Sequence, residues 1–176
     1  MATSSTIHKI NLNIADMDRN YYAENALTLA KHPSENELRL MVRLVAYVLN
    51  ANESLLFTKG IAQEDEPDLW QKSLGGDSEL WIILGQPDEK RIKKACGKSS
   101  KVILYMYQDG SSSAWFKQMQ KVLKRFSNLS IIYLNIEGNI EQLVKRGMDL
   151  QANLCDHELT LIEGEESVLI KQEIWK

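Results

Sequence analysis

The chain has 176 residues, of which 44% are hydrophobic and 26% are charged, as expected for a globular protein with a core of its own. Its formal net charge of −3 at pH 7 counts against tight DNA binding without sequence preference, because proteins that bind in this way are usually basic overall. A basic face confined to one part of the surface is still compatible with this charge.

Membrane proteins and zinc proteins are disfavoured by what the sequence lacks. No run of about 18 apolar residues is present, and the first residues lack the apolar core of a signal peptide. The two cysteines, Cys96 and Cys155, are far apart, and the three histidines have no metal-ligand spacing. We therefore expect a cytoplasmic protein with reduced thiols and no membrane partner.

The first third of the chain predicts a hairpin followed by a helix. Apolar and polar residues alternate over residues 6–14, turn-forming residues follow, and residues 21–31 can form the returning strand. The segment HPSENELRLMVRLVAYVLN has apolar residues at helical spacing, which predicts a helix over 34–50. Ser34 and Glu37 match the S-x-x-E capping box at the start of this helix.

The remainder of the chain alternates apolar strands with helices. One helix is predicted after the strand at 80–84 and another after the strand at 101–107. The first helix has Pro87 at its first position and ends before Gly97, and the second, AWFKQMQKVLKRF, is capped by Ser112 or Ser113. The end of the chain, from Met148 onwards, predicts a small β-meander. The predicted strands cover residues 55–58, 80–84, 101–107 and 129–135.

This order of elements predicts an α/β or α+β protein, because sheets and helices of this kind bury their apolar faces against each other. We expect a mixed central sheet flanked by helices, with an N-terminal hairpin and a C-terminal β-meander. No internal repeat, low-complexity tract or linker interrupts the pattern, so a single domain is predicted over residues 1–176.

Two neighbouring segments carry the residues that suggest chemistry, EPDLW at 66–70 and WIILGQPDEKRIKKACG at 81–97. They place an acid, Asp68, after a proline and ahead of an apolar strand and a basic helix. This is the outline of a metal-dependent nuclease core, in which carboxylates hold magnesium at a sheet end and the metal activates water. A nearby lysine then positions the water or neutralises the developing anion.

These segments, with HPSENELRLMVRL and the phrase ADMDRNYY in the hairpin, resemble the bacterial YaeQ family over nearly the whole chain. The resemblance implies the fold of the PD-(D/E)xK nucleases, the restriction-endonuclease-like superfamily. By position it assigns Asp68 and Glu35 as catalytic residues and ligands of magnesium, with Glu37 as a less favoured alternative to Glu35. It assigns Lys93 or Lys94 as a catalytic lysine supplied from the helix.

The chain departs from the family's pattern in the strand that follows Asp68. Where family members resemble WIELG, with a glutamate, this chain has Ile83, and the place of the lysine two residues later is taken by Gly85. Isoleucine removes a charge and puts hydrocarbon beside the ion, so magnesium is expected to bind weakly or not at all. We expect Ile83 to be buried, because residues 80–84 read as an interior strand.

Each of these residues also has a structural explanation. Glu37 fits the capping box, Glu35 can pair with Arg39 one turn away, and Asp68 can be a turn acid after proline. The helix dipole accounts for Lys93 and Lys94. A solvated helix face is favoured over a DNA-binding stripe for three further lysines, which are Lys117, Lys121 and Lys124.

Two hypotheses about function follow. In the first, the chain is a magnesium-dependent nucleic-acid phosphodiesterase with a degenerate site, in which Asp68, the first turn of the 34–50 helix and Lys93 or Lys94 meet in one cleft. In the second, it is a non-catalytic module on a nuclease-like fold that binds nucleic acid or a protein partner of unknown kind. Ile83 and the pI of about 5.7 favour the second hypothesis.

Overall fold

In the computed structural model, which describes residues 4–176 apart from the side chain of Ala62, the chain forms two compact units. The first unit comprises the chain up to Leu49 and residues 135–172, and the second comprises residues 50–134 and 173–176. The helices are α1 (Glu37–Asn50), α2 (Glu89–Lys98) and α3 (Ser111–Leu123), with short 3-10 helices at Gly60–Ala62 and Ile140–Leu143. The strands are β1 (Thr6–Asp16), β2 (Tyr21–Lys31), β3 (Leu55–Phe57), β4 (Leu69–Lys72), β5 (Ser78–Leu84), β6 (Ser99–Met106), β7 (Leu129–Glu137), β8 (Gly147–Cys155), β9 (Glu158–Glu163) and β10 (Glu166–Ile174).

Within the first unit, the strands of the sheet have the order β2-β1-β8-β9-β10. The predicted hairpin (β1 and β2) and meander (β8, β9 and β10) are confirmed, since the neighbours within each are antiparallel. The two motifs are joined by parallel pairing of β1 with β8, in which Ile10 lies opposite Met148 and Leu12 opposite Leu150. All four of these side chains are buried, so the alternation seen in the sequence defines one face of this sheet.

Helix α1 starts later than predicted and is capped differently. Asn36 is the residue that caps it, because its Oδ1 accepts a 2.8 Å hydrogen bond from the backbone N–H of Arg39. The predicted capping box of Ser34 and Glu37 is wrong, since the Ser34 hydroxyl lies 2.6 Å from His32 Nδ1 instead. Every residue from Leu40 to Leu49 is buried, so the helix is covered on all sides rather than on one broad face.

Within the second unit, the strands of the sheet have the order β7-β6-β5-β4-β3. Strands β5, β6 and β7 are parallel, whereas β3, β4 and β5 are antiparallel, so this sheet is mixed as predicted. Strand β4 was not predicted. Helices α2 and α3 connect the parallel strands, and their apolar residues pack on one face of the sheet, as Ile92, Ala95 and Leu123 do against Ile83 and Leu104.

The starts of α2 and α3 differ from prediction for local reasons. Asp88 caps α2 by accepting a 2.8 Å hydrogen bond from Arg91 N, which leaves Pro87 outside the helix, and Gly97 lies within the last turn. Helix α3 begins at Ser111 after Gly110, whose φ of 68° suits glycine, and no side chain caps it. The predicted cap at Ser112 or Ser113 is therefore wrong.

The chain has a mixed α+β fold, which agrees with the predicted class. The restriction-endonuclease-like assignment and the single domain over residues 1–176 stay predictions. None of the helices in residues 4–176 has the length and continuous apolar character that crossing a bilayer requires.

Candidate functional site

Glu35, one of the predicted metal ligands, is a buried member of an ion-pair cluster in the first unit. Its Oε1 lies 2.8 Å from Arg43 Nε and 3.1 Å from Arg39 Nη1, and its Oε2 accepts a 2.8 Å hydrogen bond from Arg43 Nη2. Arg43 also donates to the carbonyl of Ala30 at 2.9 Å. Both carboxylate oxygens therefore face guanidinium groups, whereas Glu37 is exposed in the first turn of α1.

Asp68 is fully buried directly before β4 and ties that strand to the end of β5. Its backbone N–H donates to the carbonyl of Ile82 at 2.8 Å, and its Oδ2 accepts a 2.9 Å hydrogen bond from Leu84 N. Ile83 lies between these two partners and is 1% exposed, which confirms its predicted burial. The Asp68 carboxylate thus helps to hold the start of β4 beside the end of β5.

The two predicted lysines have different surroundings on α2. Lys93 is exposed, whereas Lys94 is half-buried and forms an ion pair with Asp65, which lies in the loop before β4. The Lys94 hydrogen bond, with the charges of Lys94, Lys98 and Lys90, lowers the pKa of the Asp65 carboxyl. Lys90, Lys94 and Lys98 are spaced four residues apart, so they form one stripe along the helix.

Magnesium is a poor fit to these surroundings. A magnesium site needs anionic oxygens with open positions for waters. Both oxygens of Glu35 face arginine groups, Asp68 is buried while accepting a backbone hydrogen bond, and Ile83 offers only hydrocarbon. The meeting of Asp68, Glu35 and Lys93 or Lys94 in one cleft stays a prediction.

The second unit carries a concentration of positive charge that the sequence analysis missed. Residues 85–128 contain ten lysine and arginine residues and three acidic ones, a formal charge of +7, whereas the rest of the chain carries −10. The net charge of the whole chain conceals this segregation, because the acidic residues outside 85–128 outweigh the basic ones within it. Counting charge by segment would have revealed it.

Nine of these ten cations lie on α2, on α3 or directly after α3, and the tenth, Lys101, lies in β6. Because both helices pack their apolar residues on the same face of the sheet, their opposite faces point to solvent. An ion pair of 3.4 Å joins Arg125, just after α3, to Glu89 at the start of α2. The exposed lysines form what we call the basic helical surface, defined as Lys90, Lys93, Lys98, Lys117, Lys121 and Lys124.

A small cluster of polar groups joins two turns of the first unit. Asp18, in the turn after β1, accepts hydrogen bonds of 2.8 and 2.9 Å from the backbone N–H groups of Asp156 and His157, in the turn after β8. The bond from His157 N is the main cause of the lowered pKa of Asp18. The neighbouring carboxylate of Asp156 raises the pKa of the Cys155 thiol. The cluster is explained by this contact between turns.

Comparisons with known proteins agree with the resemblance noted in the sequence. A family model described as YaeQ protein matches residues 1–172. A protein of Salmonella typhi is 42% identical over 179 residues, covering 100% of this chain and 98% of its own. A protein of Escherichia coli K12 is 39% identical over 178 residues, with the same coverage. Both bear the name "Uncharacterized protein YaeQ".

Two crystal structures share the fold. That of YaeQ protein from Xanthomonas axonopodis pv. citri has a TM-score of 0.92 at 38% identity, covering 98% of this chain and 99% of its own. That of YaeQ protein from Pseudomonas syringae has a TM-score of 0.89 at 29% identity, covering 98% and 96%. The arrangement of elements is thus shared with relatives whose sequences differ at most positions.

Proposed function

The chain belongs to the YaeQ family, and on that premise we propose that it binds the phosphate backbone of nucleic acid through the basic helical surface without cleaving it. The observation that carries the proposal is the segregation of charge, with +7 over residues 85–128 in a chain of net charge −3. An acidic protein that binds nucleic acid needs such a confined basic face.

The chemistry of lysine suits backbone contacts rather than base recognition. A lysine ammonium is a compact charge on a flexible stem, and its contacts to phosphate release counterions without reading sequence. Lys117, Lys121 and Lys124 recur at spacings of four and three residues, so they follow one side of α3. Lys90 and Lys98 form a second stripe on α2. Two such stripes offer contacts to several phosphates at once.

The absence of cleavage is proposed from the surroundings of the predicted catalytic residues. The Glu35 carboxylate is neutralised by two guanidinium groups, and Ile83 stands where the family pattern has an acid. A phosphodiesterase needs hard anionic ligands to hold its metal against the substrate phosphate. We therefore assign Glu35 to structure and expect no metal-dependent turnover.

The binding part is tested by charge reversal on α3. We expect the triple variant Lys117→Glu, Lys121→Glu, Lys124→Glu to lose about tenfold or more in affinity for a labelled oligonucleotide, measured by fluorescence anisotropy at low salt. The control triple Lys9→Glu, Lys59→Glu, Arg146→Glu changes exposed residues elsewhere and gives the same formal charge. Equal losses in both variants would show that net charge rather than this surface matters.

The non-catalytic part is tested by incubating the same oligonucleotide with magnesium or manganese. We expect no product from the native chain. Robust cleavage that disappears in Asp68→Ala would overturn this part and restore the phosphodiesterase hypothesis. Cleavage that appears only in Ile83→Glu would instead support a site degenerated at that position.

A further inference from the structure

An aromatic groove lies beside the basic helical surface in the second unit. Trp175 stacks on Tyr133 with ring centroids 4.9 Å apart and planes inclined by 3°, and its centroid lies 5.1 Å from that of Phe116. The groove is open to solvent, has a volume of about 360 Å³ and is lined by Ser113, Phe116, Lys117, Gln120 and Trp175. This volume falls within the range of pockets that hold small ligands.

Backbone hydrogen bonds fix the tryptophan that forms one wall of the groove. Trp175 N donates to the carbonyl of Ile131 at 2.8 Å, and Ile131 N donates to the carbonyl of Lys176 at 2.9 Å. Lys176 Nζ donates to the carbonyls of Phe126 and Leu129 at 2.7 and 3.0 Å. The Trp175 ring is therefore held against β7, which reduces the ordering cost of binding a ligand on it.

The groove and the basic helical surface share the same side of α3. Lys117 belongs to both, and Lys121 follows it by one turn. Ser113 and Gln120, at helical spacing on either side of Lys117, add a hydroxyl and an amide at the wall of the groove. The aromatic wall can stack on a flat ring of a ligand, and Lys117 can pair with a phosphate attached to that ring.

We propose that the aromatic groove holds an unstacked base of single-stranded nucleic acid against Trp175 and Phe116, with Lys117 on a flanking phosphate. This inference rests on the proposed function and makes it specific to single strands. Aromatic side chains bind bases of any sequence, because every base has a π face, and the lysine stripe follows the backbone. In a duplex the bases are already stacked and paired with each other, so stacking on the groove adds nothing to the affinity for a duplex.

The test compares the affinities for a single-stranded oligothymidylate of about 12 nucleotides and for a duplex of equal length, both by anisotropy. We expect Trp175→Ala to lower single-strand affinity about tenfold and to leave duplex affinity within about twofold. Its control is Trp70→Ala, which removes another partly buried tryptophan packed on the same core but not lining the groove.

A second variant avoids any loss of core packing. Ser113→Glu puts a carboxylate into the groove from an exposed position in the first turn of α3, where an acid favours the helix. We expect it to weaken single-strand binding more than Ala114→Glu does, which carries the same charge at the neighbouring exposed position.

The outcomes separate this inference from the function on which it rests. If the α3 lysine variant loses affinity while Trp175→Ala and Ser113→Glu leave the ratio of single-strand to duplex affinity unchanged, the groove inference is overturned and the proposed function stands. If the native chain binds neither oligonucleotide, the proposed function fails and the inference fails with it.

Discussion

The Glu35 carboxylate shows how a residue assigned to catalysis by position can be explained by its neighbours. The sequence indicated Arg39 as a partner one turn away, and the structure adds Arg43 one further turn along α1. Arg43 is itself 3% exposed, so its charge depends on Glu35 for compensation. A buried charge deprived of its partner is far more costly than an exposed one.

We expect Glu35→Gln to lower the free energy of unfolding by about 3 kcal/mol, because it leaves the buried Arg43 guanidinium without a compensating charge. Glu37→Gln, at an exposed position two residues away, should change it by no more than about 0.5 kcal/mol. Urea denaturation followed by circular dichroism measures both values. A Glu35→Gln variant as stable as Glu37→Gln would favour a functional role for this acid instead.

Among the structural elements, the turn after β8 depends on a residue from another turn. Asp156 and His157 have φ values of 52° and 64°, the left-handed pair expected of a two-residue hairpin turn. Their N–H groups both point to the Asp18 carboxylate. This contact supports the parallel pairing of β1 with β8, because it fixes the ends of the two strands next to each other.

Stability should therefore depend on the ionisation of Asp18. Its pKa is lowered in the folded protein, so its contribution is fully present above the unfolded value of about 3.9 and is lost as the pH falls through the lower folded value. We expect Asp18→Asn to melt at a lower temperature than the native chain at neutral pH, with the difference closing in acid. Thermal melts across pH test this, with Glu53→Gln as an exposed control. A difference that persists unchanged in acid would contradict the assignment.

The elements themselves were largely predictable, whereas their starts and long-range partners were not. Alternation revealed β1 and helical spacing revealed α1, because these patterns reflect one-sided burial of local sequence. Capping depends on a few hydrogen bonds and leaves the apolar pattern unchanged, so the sequence did not reveal that Asn36 rather than Ser34 caps α1. Strand β4 has only four residues, too few for a period to show. The pairing of β1 with β8 joins residues more than a hundred positions apart, which no local pattern encodes.

Over the whole molecule, the segregation of charge governs how binding should respond to salt. For a single-stranded oligonucleotide, we expect the logarithm of affinity to fall linearly with the logarithm of salt concentration, with a slope of about −2 to −4 if roughly three to six phosphates are contacted. The α3 triple variant should make this slope shallower by about 2, because each of its lysines accounts for about 0.7 on a single strand, and the control triple should leave it unchanged. Anisotropy titrations between low and moderate salt provide the measurement. A slope that is the same in all three proteins would contradict a role for these lysines.

The candidate site was less predictable than the fold. The motif predicted that Asp68 comes ahead of the apolar strand at 80–84, which is part of β5, but it did not predict β4, which begins directly after Asp68. The burial of Ile83 followed from its apolar neighbours. The pairing of Glu35 with two arginines could not be predicted from the sequence, because Arg43 is two turns away and its contact with Glu35 depends on how α1 begins. The aromatic groove combines Phe116 on α3 with Trp175, and only the pairing at Ile131 brings them together. Sites assembled across such distances have no signature at a fixed spacing.

The first unit is built from two segments that are separated in the sequence by residues 50–134, and this affects how the protein folds during synthesis. The hairpin and most of α1 leave the ribosome before residues 50–134, and the strands that complete their sheet come only afterwards. At ordinary rates of translation these intervening residues take roughly 4 to 17 seconds to synthesise. During that time α1 presents apolar surface that is covered on every side in the finished protein. We therefore expect the nascent chain to bind chaperones that shield exposed apolar segments, and an amino-terminal fragment released early to aggregate.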